Sequence, residues 1–218
     1  IPTSNSKFVY AKLREIKDAP IVVIAHGMND SMDGTLPLNF ARYLEAQGYS
    51  SLRLNSYGWE EDSHRLCDIG LTEHMADIDL AIEWANDRSE QVAAVGHSFG
   101  GMCLLLRGSN QIDAGVLWDP PSQKVWAQVL RGVADFDATT NEYIYRDRTG
   151  TIFSSRILKE VDAADSEQAS KEFEKPLLVI SSPEYERFLQ AGIEYAANAP
   201  LGKHVLFENA DHGFSDDE

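Results

Sequence analysis

Residues 20–27 read "PIVVIAHG", five apolar residues in unbroken succession between Pro20 and Gly27. So short a run, without alternation, suits a strand buried on both faces. A chain that must bury such a strand needs helices on either side of it, and the sequence supplies them in turn. "LPLNFARYLEAQG" sets Phe40 and Leu44 at helical spacing and ends on Gly48, a natural C-terminal stop. "YSSLRLN" reads as a strand. "LTEHMADIDLAIEWAN" places Leu71, Met75, Ile78 and Ile82 on one helical face. "QVAAVG" is a strand, "SFGGMCLLLRG" a helix and "AGVLWDP" a strand, with "FVYAKL" a further strand at the start. Alternation of this kind predicts an α/β fold with a mostly parallel sheet and helices on both faces.

The rhythm breaks after Pro120. "EYIYRDRTGTIF" predicts a hairpin turning at Thr149–Gly150, and Ser166 to Phe173 a polar helix. Then the alternation resumes with strand "KPLLVIS", helix "EYERFLQAGIEYAANA" and strand "KHVLFENA". An insertion too long for a plain loop suggests a lid. The expected organisation is therefore a core of residues 1–120 and 176–218, with a cap at 121–175.

The stretch "VAAVGHSFGG" carries the chemistry. A buried strand ends on a polar residue, Ser98, with Gly96 and Gly100 two positions to either side. A sharp strand-to-helix turn exposes such a hydroxyl, and the glycines remove side chains that would clash there. The helix that follows adds unpaired N–H groups and the positive end of its dipole. The competing reading is a tight turn with an idle serine. A serine hydroxyl needs a base, and the base needs a group to orient it. His212, in "ENADHGFSD" after the last strand, is the candidate base. His97 is read as a packed structural residue, and His64, His74 and His204 as solvated or locally hydrogen-bonded. The backbone N–H groups of Phe99 and of Met28, in "AHGMND", are the candidate oxyanion donors.

"HGMND", "GHSFGG" and "ADHGF", in this order, resemble the α/β-hydrolase superfamily. Within it the chain is similar to serine esterases of the cinnamoyl/feruloyl-esterase and monoglyceride-lipase-like type, over about residues 8 to 215. The resemblance implies the α/β-hydrolase fold, with the cap inserted after "AGVLWDP", the sixth strand by family convention. It also implies hydrolysis of a small-molecule carboxylic ester through an acyl-enzyme, with neither metal nor cofactor.

One position departs from the family. Its acid normally follows the seventh strand in a His-Gly-x-x-Asp pattern, and "ISSPEYE" puts Tyr185 there, flanked by Glu184 and Glu186. A tyrosine does not supply negative charge near neutral pH. Two rescues are open: Asp119 in "VLWDPP", as in pancreatic-type lipases, or a one-residue shift in the loop that brings Glu184 or Glu186 to the base, with Glu184 the leading one. Asp119 could equally be a strand-ending residue that caps a turn. Trp126, Tyr143, Tyr145 and Phe153 in the cap, with Tyr57 and Trp59, are candidates to line the acyl pocket; Trp126, Tyr145 and Trp59 are the leading ones.

Composition narrows the alternatives. A formal net charge of −16 repels phosphate backbones and argues against a nucleic-acid partner. No apolar run approaches the roughly 20 residues that span a bilayer. The two cysteines, Cys67 and Cys103, have no ligand spacing, so a reduced, cytoplasmic setting is expected. The chain begins on Ile1 and stops soon after His212, which suggests trimmed ends. Nothing in the sequence speaks to oligomeric state. Rival readings are a thioesterase, peptidase or lactonase on the same machinery, and an inactive hydrolase-fold protein that binds a ligand.

Overall fold

The computed structural model describes residues 1–4, 6–146 and 151–215. The first half of the chain runs β1 (Tyr10–Arg14), β2 (Ile21–Ala25), α1 (Thr35–Ala46), β3 (Ser50–Asn55), α2 (Leu71–Asn86), β4 (Val92–His97), α3 (Phe99–Arg107) and β5 (Ala114–Trp118). There follow α4 (Gln123–Val133), β6 (Ala134–Asp137), β7 (Glu142–Tyr145), β8 (Ile152–Ser154), α5 (Ser155–Ala163) and α6 (Ser166–Lys171). The chain then adds β9 (Leu177–Ser181), α7 (Glu186–Asn198) and β10 (Gly202–Leu206).

The main sheet has the order β1-β3-β2-β4-β5-β9-β10. Only β1 is antiparallel to its neighbour; all other pairs are parallel. The fold is the α/β arrangement that the alternation predicts. β2 shows why its sequence is apolar throughout: it lies mid-sheet and every residue is buried. Ile21, Val23 and Ala25 face a core built with α2 and α3, whereas Val22 and Ile24 face a second core with Ala41 and Leu44 of α1. Successive side chains of a strand point to opposite faces, so both faces need apolar residues. Each Val or Ile side chain taken fully out of water contributes on the order of 2 kcal/mol.

Between β5 and β9 the structure is richer than the sequence suggests. β7 and β8 pair antiparallel, with Tyr143 opposite Phe153; the turn expected at Thr149–Gly150 lies outside the described residues. β6 joins them in a three-stranded sheet. α4 and α5 were not expected. Each has a readable start: the Ser122 side chain accepts the Val125 N–H, and the Ser154 side chain accepts the Arg156 N–H. A serine side chain here satisfies one of the orphan donors of the first helical turn. In α4, Trp126 and Leu130 are buried at helical spacing; in α5, Ile157, Leu158 and Val161 are. Polar residues interleaved with these hide the pattern from a reading tuned to long apolar stretches. α5 packs on α2 and α4, while α6 packs on α3 and α7. Among the described residues no helix is long and apolar enough to cross a membrane.

Candidate active site

β4 delivers Ser98 to the carboxyl edge of the sheet. Ser98 has φ 51° and ψ −119°, a left-handed conformation that costs a non-glycine residue about 1–3 kcal/mol. The neighbouring glycines make the turn sterically feasible. A Cβ on Gly96 would lie 2.5 Å from the Gly100 carbonyl oxygen, and one on Gly100 would lie 2.4 Å from the His26 carbonyl oxygen. Any side chain at either position would push β4, α3 and the loop after β2 apart. α3 begins at Phe99, so the Phe99 N–H is among the first helical amides that lack an intrahelical partner.

The Ser98 N–H donates to the Trp118 carbonyl at 2.8 Å, tying the end of β4 to the end of β5. Asp119 is the next residue, also at positive φ (46°), and its N–H donates to the Ile180 carbonyl at 2.7 Å. The strand ends thus bring a wholly buried carboxylate beside the serine. His212 lies between them. Its Nδ1 donates to Asp119 Oδ2 at 2.6 Å, which leaves Nε2 to accept the Ser98 hydroxyl at 3.0 Å. About a quarter of the His212 side chain is exposed.

Glu184, the other candidate acid, does not meet the imidazole through a hydrogen bond. Its carboxylate accepts the backbone N–H of His212 at 2.5 Å. His97 holds the same residue from the other side: its Nε2–H donates to the His212 carbonyl at 2.8 Å. Burial, then the neighbouring His212, lower the His97 pKa to about 4. His97 is therefore neutral near pH 7, and its buried Nδ1 has no hydrogen-bond partner among the described residues. The rings of Tyr185 and Phe188 each meet His212 edge-on at 5.3 Å. Tyr185, at the family's usual acid position, thus flanks the base through its ring.

The loop after β2 closes the site. A Cβ on Gly27 would lie 2.9 Å from His97 Nδ1 and 3.3 Å from Ser98 Cβ, so this backbone runs directly against the serine. The Gly27 carbonyl accepts His26 Nδ1–H at 2.7 Å and the Asp30 N–H at 3.3 Å. The Met28 N–H belongs to the same planar trans peptide and points the opposite way.

The aromatic candidates divide. Trp126, from α4, tilts against Phe99 at 4.8 Å between ring centres and is buried. Tyr145 is half-buried and packs on Phe153, itself a core residue. Tyr143 packs on Phe136. Trp59 is 89% exposed, and no hydrogen bond or ring contact among the described residues joins it to Ser98 or His212. Tyr57 turns inward and its hydroxyl accepts the Asn29 N–H at 2.9 Å. His64 and His204 are locally bonded, to Asp77 and Ser181. His74 is not solvated: it is 2% exposed between the rings of Tyr57 and Phe99, and burial lowers its pKa to about 3. The only sign of this in the sequence is its position three residues after Leu71 on the apolar face of α2.

Sequence reasoning passed over Ser182. Its N–H donates to Asp119 Oδ1 at 3.2 Å and its hydroxyl to Oδ2 at 3.0 Å. Among the described residues no cluster of three or more His, Cys, Asp or Glu side chains could hold a metal ion.

A family model described as "Serine aminopeptidase, S33" matches residues 17–181. Among solved structures, the ferulic acid complex of Est1E from Butyrivibrio proteoclasticus superposes with a TM-score of 0.81 at 17% identity, covering 96% of this chain and 89% of that one. The esterase domain of a Rhodothermus marinus protein gives 0.74 at 20% identity, over 99% and 88%. The enol-lactonase of Burkholderia xenovorans gives 0.67 at 14% identity, over 94% and 89%. These likenesses establish the fold. No curated protein matches the sequence.

Proposed function

The chain belongs to the serine aminopeptidase family of α/β-hydrolases, and on that premise we propose that it is a serine hydrolase that cleaves carboxylic esters through an acyl-enzyme. The observation that carries the reading is the unbroken line from Ser98 Oγ through His212 to the buried Asp119, at 3.0 Å and 2.6 Å. Ser98 attacks the ester carbonyl while His212 Nε2 takes its proton. Asp119 holds the imidazole in the tautomer this requires and stabilises the imidazolium that forms. The Phe99 and Met28 N–H groups receive the oxyanion, a contribution of about 10² to 10³ in rate for each donor. His212 then gives its proton to the leaving alcohol, and a water activated by the same imidazole releases the acid.

Residues 121–175 serve as a cap over the core of residues 1–120 and 176–218. Trp126 and Tyr145 face the acyl group from it, whereas Trp59, in the loop after β3, stands out in solvent. The protein acts on small molecules, without metal or cofactor, and the cytoplasm is its proposed setting. The esterase and enol-lactonase neighbours favour an oxygen ester or lactone. The family description favours a second reading, aminopeptidase action on the same serine. A panel of short aryl esters, a thioester, a lactone and amino-acid anilides decides between them. Turnover of the esters at least about a hundredfold above the anilides is expected; the reverse order overturns the esterase reading.

A further inference from the structure

The loop after β9 lacks the acid that its family carries there, yet it is still bound to the site. Ser182 is 0% exposed and reaches Asp119 twice. Its N–H donates to Oδ1 at 3.2 Å, and its hydroxyl to Oδ2 at 3.0 Å, the oxygen that also accepts His212 Nδ1–H. Asp119 is itself wholly buried, so water cannot compensate its charge. A buried carboxylate is tolerated only when donors satisfy its lone pairs. Among the described residues, the donors to this carboxylate are the His212 ring and the two groups of Ser182. Because those two groups grip different oxygens, they also fix rotation of the carboxylate about its bond to Cβ. The imidazole alone, holding one oxygen, leaves that rotation open.

We infer that Ser182 is a positioning residue, whose hydroxyl and N–H hold the Asp119 carboxylate in the plane from which Oδ2 meets His212 Nδ1. The inference rests on the hydrolase reading for its kinetic consequence, though not for its structural one. The loop that gave up the acid thereby supplies its support. Charge-assisted hydrogen bonds of this kind are among the strong ones, so removing one should be felt in kcat.

The test separates the two claims. A proton shared between Nδ1 and a carboxylate at 2.6 Å gives a far-downfield proton resonance, assigned by its loss in His212→Ala. In Ser182→Ala that resonance shifts or broadens, kcat for an ester falls about tenfold with KM unchanged, and Ser182→Thr, which keeps the hydroxyl, restores both. If Ser182→Ala folds poorly, Ser182→Cys carries the same readout, since a thiol fills the space but donates weakly. A folded Ser182→Ala or Ser182→Cys whose resonance is unmoved overturns the inference. So does a kcat loss that Ser182→Cys restores as fully as Ser182→Thr, because that marks a packing effect. Should the wild-type protein turn over no ester, the resonance still tests Ser182 while the functional reading fails on its own.

Discussion

The carboxylate of Asp119 lies 2.6 Å from the imidazole of His212, across 93 positions of sequence. Nothing local joins the two. Asp119 directly follows β5, next to the strand that leads into Ser98; His212 sits in a loop beyond β10, the strand at the edge of the sheet. The relationship is made by the parallel sheet, which lines up the carboxyl ends of strands remote in sequence.

The first prediction concerns which carboxylate serves the base. Asp119→Asn should lower kcat by about 10⁴, because the amide selects the wrong imidazole tautomer. Glu184→Gln keeps an oxygen to accept the His212 N–H, and should change kcat by less than about tenfold. Steady-state kinetics of the two variants on one ester check this; the opposite ranking would assign the acid to Glu184.

A second prediction concerns acid stability. His74 and His97 are buried, and burial lowers their pKa to about 3 and about 4. Unfolded, each regains a value near 6.5. Between the folded and unfolded values the unfolded state binds more protons, so stability rises with pH. The contribution is complete above about 6.5 and is lost as pH falls towards 4. Thermal unfolding measured from pH 7.5 to 4.5 should show Tm falling on acidification. His74→Phe, which keeps an aromatic ring between Tyr57 and Phe99, should flatten that slope; an unchanged slope refutes the assignment to His74.

Much of this was readable beforehand, for identifiable reasons. β2 and β4 announce themselves because a strand buried on both faces has no freedom to be polar. Gly96 and Gly100 mark the Ser98 turn because backbone passes within 2.6 Å of where their Cβ atoms would lie. The acid was harder. Three carboxylates lay in plausible loops, and their choice depends on how strand ends align, which no local pattern encodes. The structure gives Asp119 to the imidazole and Glu184 to the His212 backbone. Ser182 carries no signal in the sequence, because a serine beside a proline looks like ordinary turn chemistry. α4 and α5 escaped because their buried stripes are narrow and interrupted by charge. Trp59 shows the converse: its residue type suggests a pocket, but its loop leaves it to solvent.

The central claim is that Ser98 is a nucleophile activated by His212. The most direct measurement is mass spectrometry of the whole chain after treatment with a fluorophosphonate, for wild type, Ser98→Ala and His212→Ala. The account predicts a single stoichiometric adduct on Ser98, absent from Ser98→Ala and formed at least about a thousandfold more slowly in His212→Ala. A wild-type protein that stays unlabelled, or one labelled equally fast without His212, would contradict it.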